Sequence, residues 1–235
     1  MTPAEHRSRP LVFVADLERP RLDEADHHHL RRVLRCRVGD PITVADGAGR
    51  WRSAALGSDL EPDAVGPIVQ ASERRRTTSL TVGFALVKGD RSELAVQKLT
   101  ELGIDRIIPL TTERTVVRWD GAKAARNRER HRRVARQAAM QSRNLWLPDV
   151  WPVTALSTVV ERLPDATLAE PGQTVLGAAA GAEIHPTTVL VGPEGGFSPQ
   201  ECAGRPLVGL PGNILRTETA AICAAVLLVL TAERG

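Results

Sequence analysis

The chain has 235 residues, enough for one large domain or two modest ones, and its 42% hydrophobic and 25% charged residues are ordinary for a globular protein. No run of about 18 or more apolar residues occurs, which excludes a membrane-spanning helix, and residues 1–14 lack a long apolar stretch or small-residue cleavage site, so no signal peptide is expected. The net charge of +3 conceals a basic block over 114–144, ten Lys and Arg against two Asp and Glu. Such a block suits a polyanion, and a solvated arginine-rich helix face is an equally good reading. The three cysteines, Cys36, Cys202 and Cys223, form no CxxC pair. They read as small buried hydrophobes of a protein in the reducing cytoplasm, not as a disulfide framework or a zinc site.

The first 75 residues read as short strands and turns around one helix. Leu11–Val14 is an apolar run, and PITVAD ends in the turn signal Asp46-Gly47, with WRSAAL as the return strand. Gly66–Glu73 fits another strand. Between the first two, DEADHHHLRRVLRCRVGD predicts a helix with Leu30, Val33 and Leu34 on one face and Gly39 as its stop. Its three consecutive histidines point in different directions on a helix, so no metal site is expected there. The pattern suggests a small β-barrel. The polar stretch Glu73–Thr77 marks a domain boundary, giving domains over 1–74 and 75–235.

From residue 79 strands and helices alternate. SLTVGFALV is a strand without charge, and Lys88-Gly89-Asp90 turns the chain. Ser92 is read as the cap of a helix that buries Leu94, Val96, Leu99 and Leu102 and stops at Gly103. DRIIPLTTERTVV predicts a strand, and 123–144 a long basic helix. TTVLVG is a buried strand, Ser198-Pro199-Gln200-Glu201 is a complete helix-start signature, and PLVGL is a strand. TETAAICAAVLLVLTAE is a helix apolar nearly all round, hence buried in a core or an interface. Repeated βα units imply an α/β domain with a mostly parallel sheet.

Two loops stand out. Val191-Gly192-Pro193-Glu194-Gly195-Gly196-Phe197 leaves the carboxyl end of a buried strand, where α/β sheets bind ligands. Its glycines allow close backbone approach, and the helix start after Ser198 adds oriented N–H groups. It is neither a Walker loop nor a GxGxxG motif. Leu210-Pro211-Gly212-Asn213-Ile214-Leu215-Arg216-Thr217-Glu218-Thr219-Ala220 repeats the design, with polar residues bunched before an apolar helix.

These loops, with KGDR-x-E-x-x-x-QK-x-TELG, ERT-VVRW and the N-terminal HHL-x-RVLR-x-x-x-GD pattern, closely resemble the RsmE family of 16S rRNA uracil-N3 methyltransferases, in the knotted SPOUT superfamily. The resemblance covers about residues 10–230. It implies an N-terminal PUA-like β-barrel that holds RNA and an α/β trefoil-knotted methyltransferase domain. It also implies S-adenosylmethionine as methyl donor, 16S rRNA or the small ribosomal subunit as partner, and a homodimer with the site near the subunit interface. Carried over residue by residue, the cofactor contacts are Leu190, Gly192, Glu194, Gly195, Gly196, Leu210, Gly212, Ile214, Leu215, Arg216 and Thr219. The family commonly reads EQSxR before a proline, whereas this chain has Met140-Gln141-Ser142-Arg143-Asn144, with Met140 in place of an acid and Asn144 in place of an arginine.

Methylating uracil N3 requires removal of an imide proton and in-line placement of the methyl group. Arg216 is the candidate for stabilising charge on the uracil oxygens, and Glu194 or Glu218 for orienting the base or taking the proton. A helix-dipole role for Glu218 is an equal reading. RNA-contact candidates are Arg31, Arg32, Arg35 and Arg37 on the N-terminal helix, and Arg114, Arg118, Arg132, Arg133, Arg136, Gln141 and Arg143 in the basic segment. With no tyrosine in the chain, base stacking falls to Trp119, Trp146 or Trp151, for which core packing is the more natural use. The competing functions are a ribose 2′-O methyltransferase of the same superfamily and a non-catalytic RNA-binding or ribosome-assembly protein.

Overall fold

The computed structural model describes residues 8–71, 78–177 and 186–233. The chain divides into two compact units, residues 1–74 with 136–147, and 75–135 with 148–235. The expected boundary at Glu73–Thr77 lies outside the described residues.

The first unit carries a sheet of β1 (Leu11–Phe13), β2 (Pro41–Ala45), β3 (Arg50–Leu56), β4 (Pro62–Ala64) and β5 (Val69–Gln70). β1 pairs parallel with β2, and β3 pairs antiparallel with β2, β4 and β5. The turn after β2 forms as its Asp-Gly signal requires: Asp46 Oδ1 accepts from Ala48 N–H (2.7 Å), and Gly47 and Gly49 have φ of +79° and +90°. A Cβ on Gly49 would strike the Trp146 ring, so Trp146 is a packing residue. The core joins Leu11, Val12, Ile42, Val44, Trp51 and Leu56 to Ala139, Met140 and Leu145.

The N-terminal helix departs from its expected course. It is α-helical only over α1 (Glu24–His28), then widens to a π-turn over His29–Val33. Leu34 and Cys36 donate back five and six residues, to His29 and Leu30 carbonyls, and Arg35 takes φ +55°. The widening rotates the apolar face: Leu30 is fully buried, but Val33 (61% exposed) and Leu34 (40%) face solvent.

The second unit is built on an all-parallel sheet. Its strands are β6 (Thr81–Ala85), β7 (Arg106–Thr111), β8 (Asp149–Val150), β9 (Thr154–Ala155), β10 (Thr167–Ala169), β11 (Thr188–Val191) and β12 (Leu207–Val208). The order is β12-β10-β11-β6-β7-β8, with β9 also on β7. The charge-free β6 lies between β11 and β7 and is buried along its whole length, as a strand covered on both faces should be. The helices are α2 (Arg91–Glu101), α3 (Gly121–Ser142), α4 (Leu156–Arg162), α5 (Pro199–Cys202) and α6 (Thr217–Ala232). Of α3, residues through Ala135 group with this unit and the rest with the first.

Two local expectations need correction. The helix cap before α2 is Asp90; Ser92 lies inside the first turn, buried, and its hydroxyl has no hydrogen-bond partner among the described residues. Leu94 is 43% exposed because its position falls on the outer face, while Val96 and Leu99 enter the core. The strand read over 105–117 stops at Thr111, where Thr115 Oγ1 accepts from Thr112 N–H (2.9 Å) and turns the chain. All three cysteines are free and half-buried, and burial raises each thiol above its ordinary pKa. No helix among the described residues is long and apolar enough to cross a membrane, and no three His, Cys, Asp or Glu cluster as metal ligands.

Candidate active site

Starting from β6, the chain runs to β7 on one side of the sheet, while β11 occupies the other side. This is the point where parallel α/β sheets open a crevice at the carboxyl ends of their strands. A cavity of about 340 Å³ lies there, lined by the loops after β6 (Leu86, Lys88), β7 (Arg114, Val116) and β11 (Pro193, Glu194, Gly195) and by Arg91 at the start of α2.

The glycine loop after β11 is held from several directions. Thr217 Oγ1 donates to the Gly192 carbonyl (3.1 Å), tying the start of α6 to the first turn of the loop. Glu170, at the end of β10, accepts from Phe197 N–H (3.0 Å). Arg114 Nη1 donates to the Gly195 carbonyl (2.7 Å). Ser198 and Glu201 form the reciprocal cap expected of their sequence. The free oxygen of that cap, Glu201 Oε1, also accepts from Glu113 N–H (2.9 Å), so the loops after β7 and β11 are bound together. Gly196 adopts φ +68°, and a Cβ on Gly192 would sit 3.3 Å from the Gly196 carbonyl carbon and the Phe197 ring. Gly196 is thus where the loop favours glycine by conformation, and Gly192 where a side chain would crowd the backbone.

The carboxylates and the candidate cation fall into place unevenly. Arg91 Nη1 lies 3.5 Å from Glu194 Oε1 and 3.6 Å from Glu218 Oε1. Glu218, in the first turn of α6, is 6% exposed. Arg216 is the N-cap residue of α6, exposed, with no side-chain cap bond. The second glycine loop presents Gly212 at φ +98°, an Ile214 that is 88% exposed, and exposed Thr219, while Leu210 and Leu215 pack against the core. Leu190 is wholly buried in β11. The cavity thus gathers Glu194 and Gly195 but none of the candidates from 210–219. The Thr217–Gly192 bond is what joins the two loops.

The arginines divide by what already occupies them. Arg31, Arg32, Arg35 and Arg37 are exposed on the first unit. Arg136 is engaged there: its guanidinium makes two bonds to Asp26 (2.8 and 2.7 Å) and one to the Phe13 carbonyl (2.7 Å), and Nη1 is 3.1 Å from Met140 Sδ. Asp26 is 3% exposed, so Arg136 serves as its structural ion-pair partner. Arg143, at φ +59°, closes the end of α3 with Asn144, whose N–H reaches back to the Ala139 carbonyl (2.9 Å), and Arg143 Nη1 donates to the Met140 carbonyl (2.9 Å). Gln141 is exposed beside them. In the second unit Arg132 pairs with Glu129 (3.0 Å), Arg114 holds the glycine loop, and Arg118 and Arg133 are exposed with no ion pair among the described residues. Trp119 lies 6.0 Å from the His131 ring, and Trp151 is flanked by Arg106 and Arg162.

A parallel sheet with a glycine-loop crevice at its switch point, and carboxylates beside an arginine, defines a small-molecule-binding α/β enzyme. The model of the RNA methyltransferase domain family matches residues 74–229, and that of the RNA methyltransferase PUA domain matches 22–59. Ribosomal RNA small subunit methyltransferase E of Mycobacterium bovis is 33% identical over 221 residues, covering 86% of this chain and 83% of the relative. The protein of that name from Bacillus subtilis is 30% identical over 215 residues, 84% of each. The structure of the Neisseria gonorrhoeae protein of that name, bound to S-adenosyl methionine, superposes with TM-score 0.78 at 27% identity, over 95% of this chain and 98% of that one. The chain therefore belongs to the RNA methyltransferase domain family, with an N-terminal PUA domain.

Proposed function

We propose that this protein transfers the methyl group of S-adenosylmethionine to N3 of a uridine near the 3′ end of 16S ribosomal RNA. The methyl donor and the rRNA substrate class follow from family membership and from the donor-bound relative. The uracil-N3 assignment rests on the ILRTETAA and N-terminal motifs. The observation that carries the reading is the pair of glycine loops joined at Gly192–Thr217, with Arg216, Glu194 and Glu218 around them.

The loop suits a ligand held by backbone groups: its backbone is bare at Gly192, Gly195 and Gly196, and Glu170, Arg114 and Glu201 pre-set its shape. Gly192, Glu194, Gly195, Gly196, Leu210, Gly212, Ile214, Leu215, Arg216 and Thr219 are the proposed donor contacts, with Leu190 as the buried strand residue beneath them. When bound, S-adenosylmethionine supplies an electrophilic methyl carbon on a sulfonium sulfur. That carbon would pass to N3 as its bond to sulfur opens, leaving S-adenosylhomocysteine, and Glu194 or Glu218 would accept the imide proton. Arg216 stabilises the negative charge spread over the uracil oxygens, and Glu194 or Glu218 holds the N3–H edge. Residues 1–74 hold RNA through Arg31, Arg32, Arg35 and Arg37. Residues 75–235, with the knotted threading, carry catalysis and contact RNA through Arg118, Arg132 and Arg133. Half-buried Cys223 and exposed Val226 and Leu230 leave an apolar stripe on α6, which supports a homodimer, and the ribosomal RNA substrate supports action in the cytoplasm.

The test is nucleoside mapping of 16S rRNA from a strain lacking the gene, with and without complementation. Loss and return of 3-methyluridine is the expected result, and loss of a ribose methyl instead overturns the base assignment. Arg216→Ala is expected to slow single-turnover methylation by about 100-fold on bound substrate. An unchanged rate removes Arg216 from the chemistry.

A further inference from the structure

Arg91 opens α2 directly after the turn that follows β6, and it lines the cavity. Its Nε donates to the Lys88 carbonyl (3.2 Å), which fixes the guanidinium against its own turn. Nη1 is then shared by Glu194 and Glu218 at 3.5 and 3.6 Å. The two carboxylates differ in kind. The Glu194 side chain is 57% exposed, that of Glu218 only 8%. Glu218 Oε2 is buried and has no hydrogen-bond partner among the described residues. A buried carboxylate with one oxygen unsatisfied is costly unless a cation faces it and a ligand completes it.

We infer that Arg91 is a positioning residue for methyl transfer: from the cavity wall it fixes the buried Glu218 carboxylate at the start of α6, two residues after Arg216, and exposed Glu194 is the partner it releases when the cavity fills. The inference rests on the methyltransferase reading and selects Glu218 over Glu194 as the carboxylate through which Arg91 acts on the chemical step. A tie that merely joined α2 to α6 would lower stability without touching the chemical step.

The test uses the full chain, with calorimetry for S-adenosylmethionine and single-turnover methylation of rRNA well below the melting temperature. Arg91→Ala is expected to slow single turnover by about 100-fold while the donor Kd changes by less than about threefold. Arg91→Lys recovers about tenfold of that loss, because it restores the charge but not the fixed fork. Arg91→Ala with Glu218→Gln is no slower than Glu218→Gln alone. If Arg91→Ala does not fold, the same cycle is run with Arg91→Lys, whose effect must vanish in the Glu218→Gln background. Rates that multiply across the two sites, or an Arg91 variant as fast as wild type, overturn the role assigned to Arg91 while leaving donor binding intact. A wild-type protein that shows no heat with S-adenosylmethionine overturns the underlying reading, and the inference with it.

Discussion

His131 makes the pH dependence of stability predictable. It sits on α3, 2% exposed, with its ring 6.0 Å from that of Trp119. Burial, followed by the neighbouring Arg130 guanidinium, lowers its pKa from 6.5 to about 4. The unfolded chain therefore takes up a proton at this site before the folded protein does. The stabilisation is complete above pH 6.5 and is lost as pH falls from there toward 4. Linkage gives a loss of about 2 kcal/mol between pH 7 and 5, and about 3 kcal/mol by pH 4. Carboxylates titrate little above pH 5, so the upper window isolates the imidazole. In urea unfolding at pH 7 and 5, wild type should lose about 2 kcal/mol more than His131→Gln, which has no proton to gain. The ring resonances should show neutral imidazole at pH 5.5. Equal pH slopes for the two proteins, or a ring that titrates near 6.5 in the folded state, would refute the reasoning.

Other consequences are as specific. Asp26→Ala strands the Arg136 guanidinium, and because the Arg136 side chain is 26% exposed the loss should lie near the lower end of the buried-pair range, about 3 kcal/mol by urea unfolding. Replacing both partners by apolar residues of similar size should recover most of it. Gly196→Ala forces a side chain into φ +68° beside the Glu170 carboxylate, and should cost about 1–2 kcal/mol and weaken donor binding in calorimetry. Gly195→Ala, whose Cβ would meet only the Arg114 side chain at 3.7 Å, should keep its folding stability within about 0.5 kcal/mol of wild type in the same urea titration. Arg118→Ala and Arg133→Ala should each lower the salt slope of RNA binding by about 1 in filter binding across a KCl series. A slope that stays at the wild-type value would remove both from the RNA surface.

Elements whose cause is local were legible in the sequence. The Asp46-Gly47 turn, the Ser198–Glu201 cap, the stop at Gly103 and the charge-free β6 each depend on residues a few positions apart, and all formed as read. The π-turn over His29–Val33 escaped because its apolar spacing also fits an ordinary α-helix, and the packing of Leu30 alone decides the register. Segment 148–170, with β8, β9, α4 and β10, carried no reading, since its strands are two or three residues long and borrow their pairing from β7 and β11. At the site, the glycine loops announced themselves and their supports did not. Glu170 stands 27 positions before the N–H it accepts, and Arg114 stands 81 before the carbonyl it binds. Such partners have no signature beyond being a charged residue after a strand.

Arg136 and Met140 show how a change of sequence is absorbed. Where an acid is common four residues beyond this arginine, the chain has a methionine, buried in the core of the first unit with its sulfur against Nη1. The guanidinium has not lost its carboxylate; it has one from Asp26, in the first turn of α1, with the Phe13 carbonyl as a third acceptor. A planar fork with two bonds to one carboxylate and one to a backbone oxygen is nearly saturated. Asn144 likewise has a local task, since its Oδ1 accepts from Trp146 N–H (3.1 Å) while its own N–H closes α3. The residues of 136–147 that depart from the family wording therefore serve the packing of the first unit. The exposed arginines of 31–37, with Arg118 and Arg133, are by contrast engaged by no internal ion pair among the described residues.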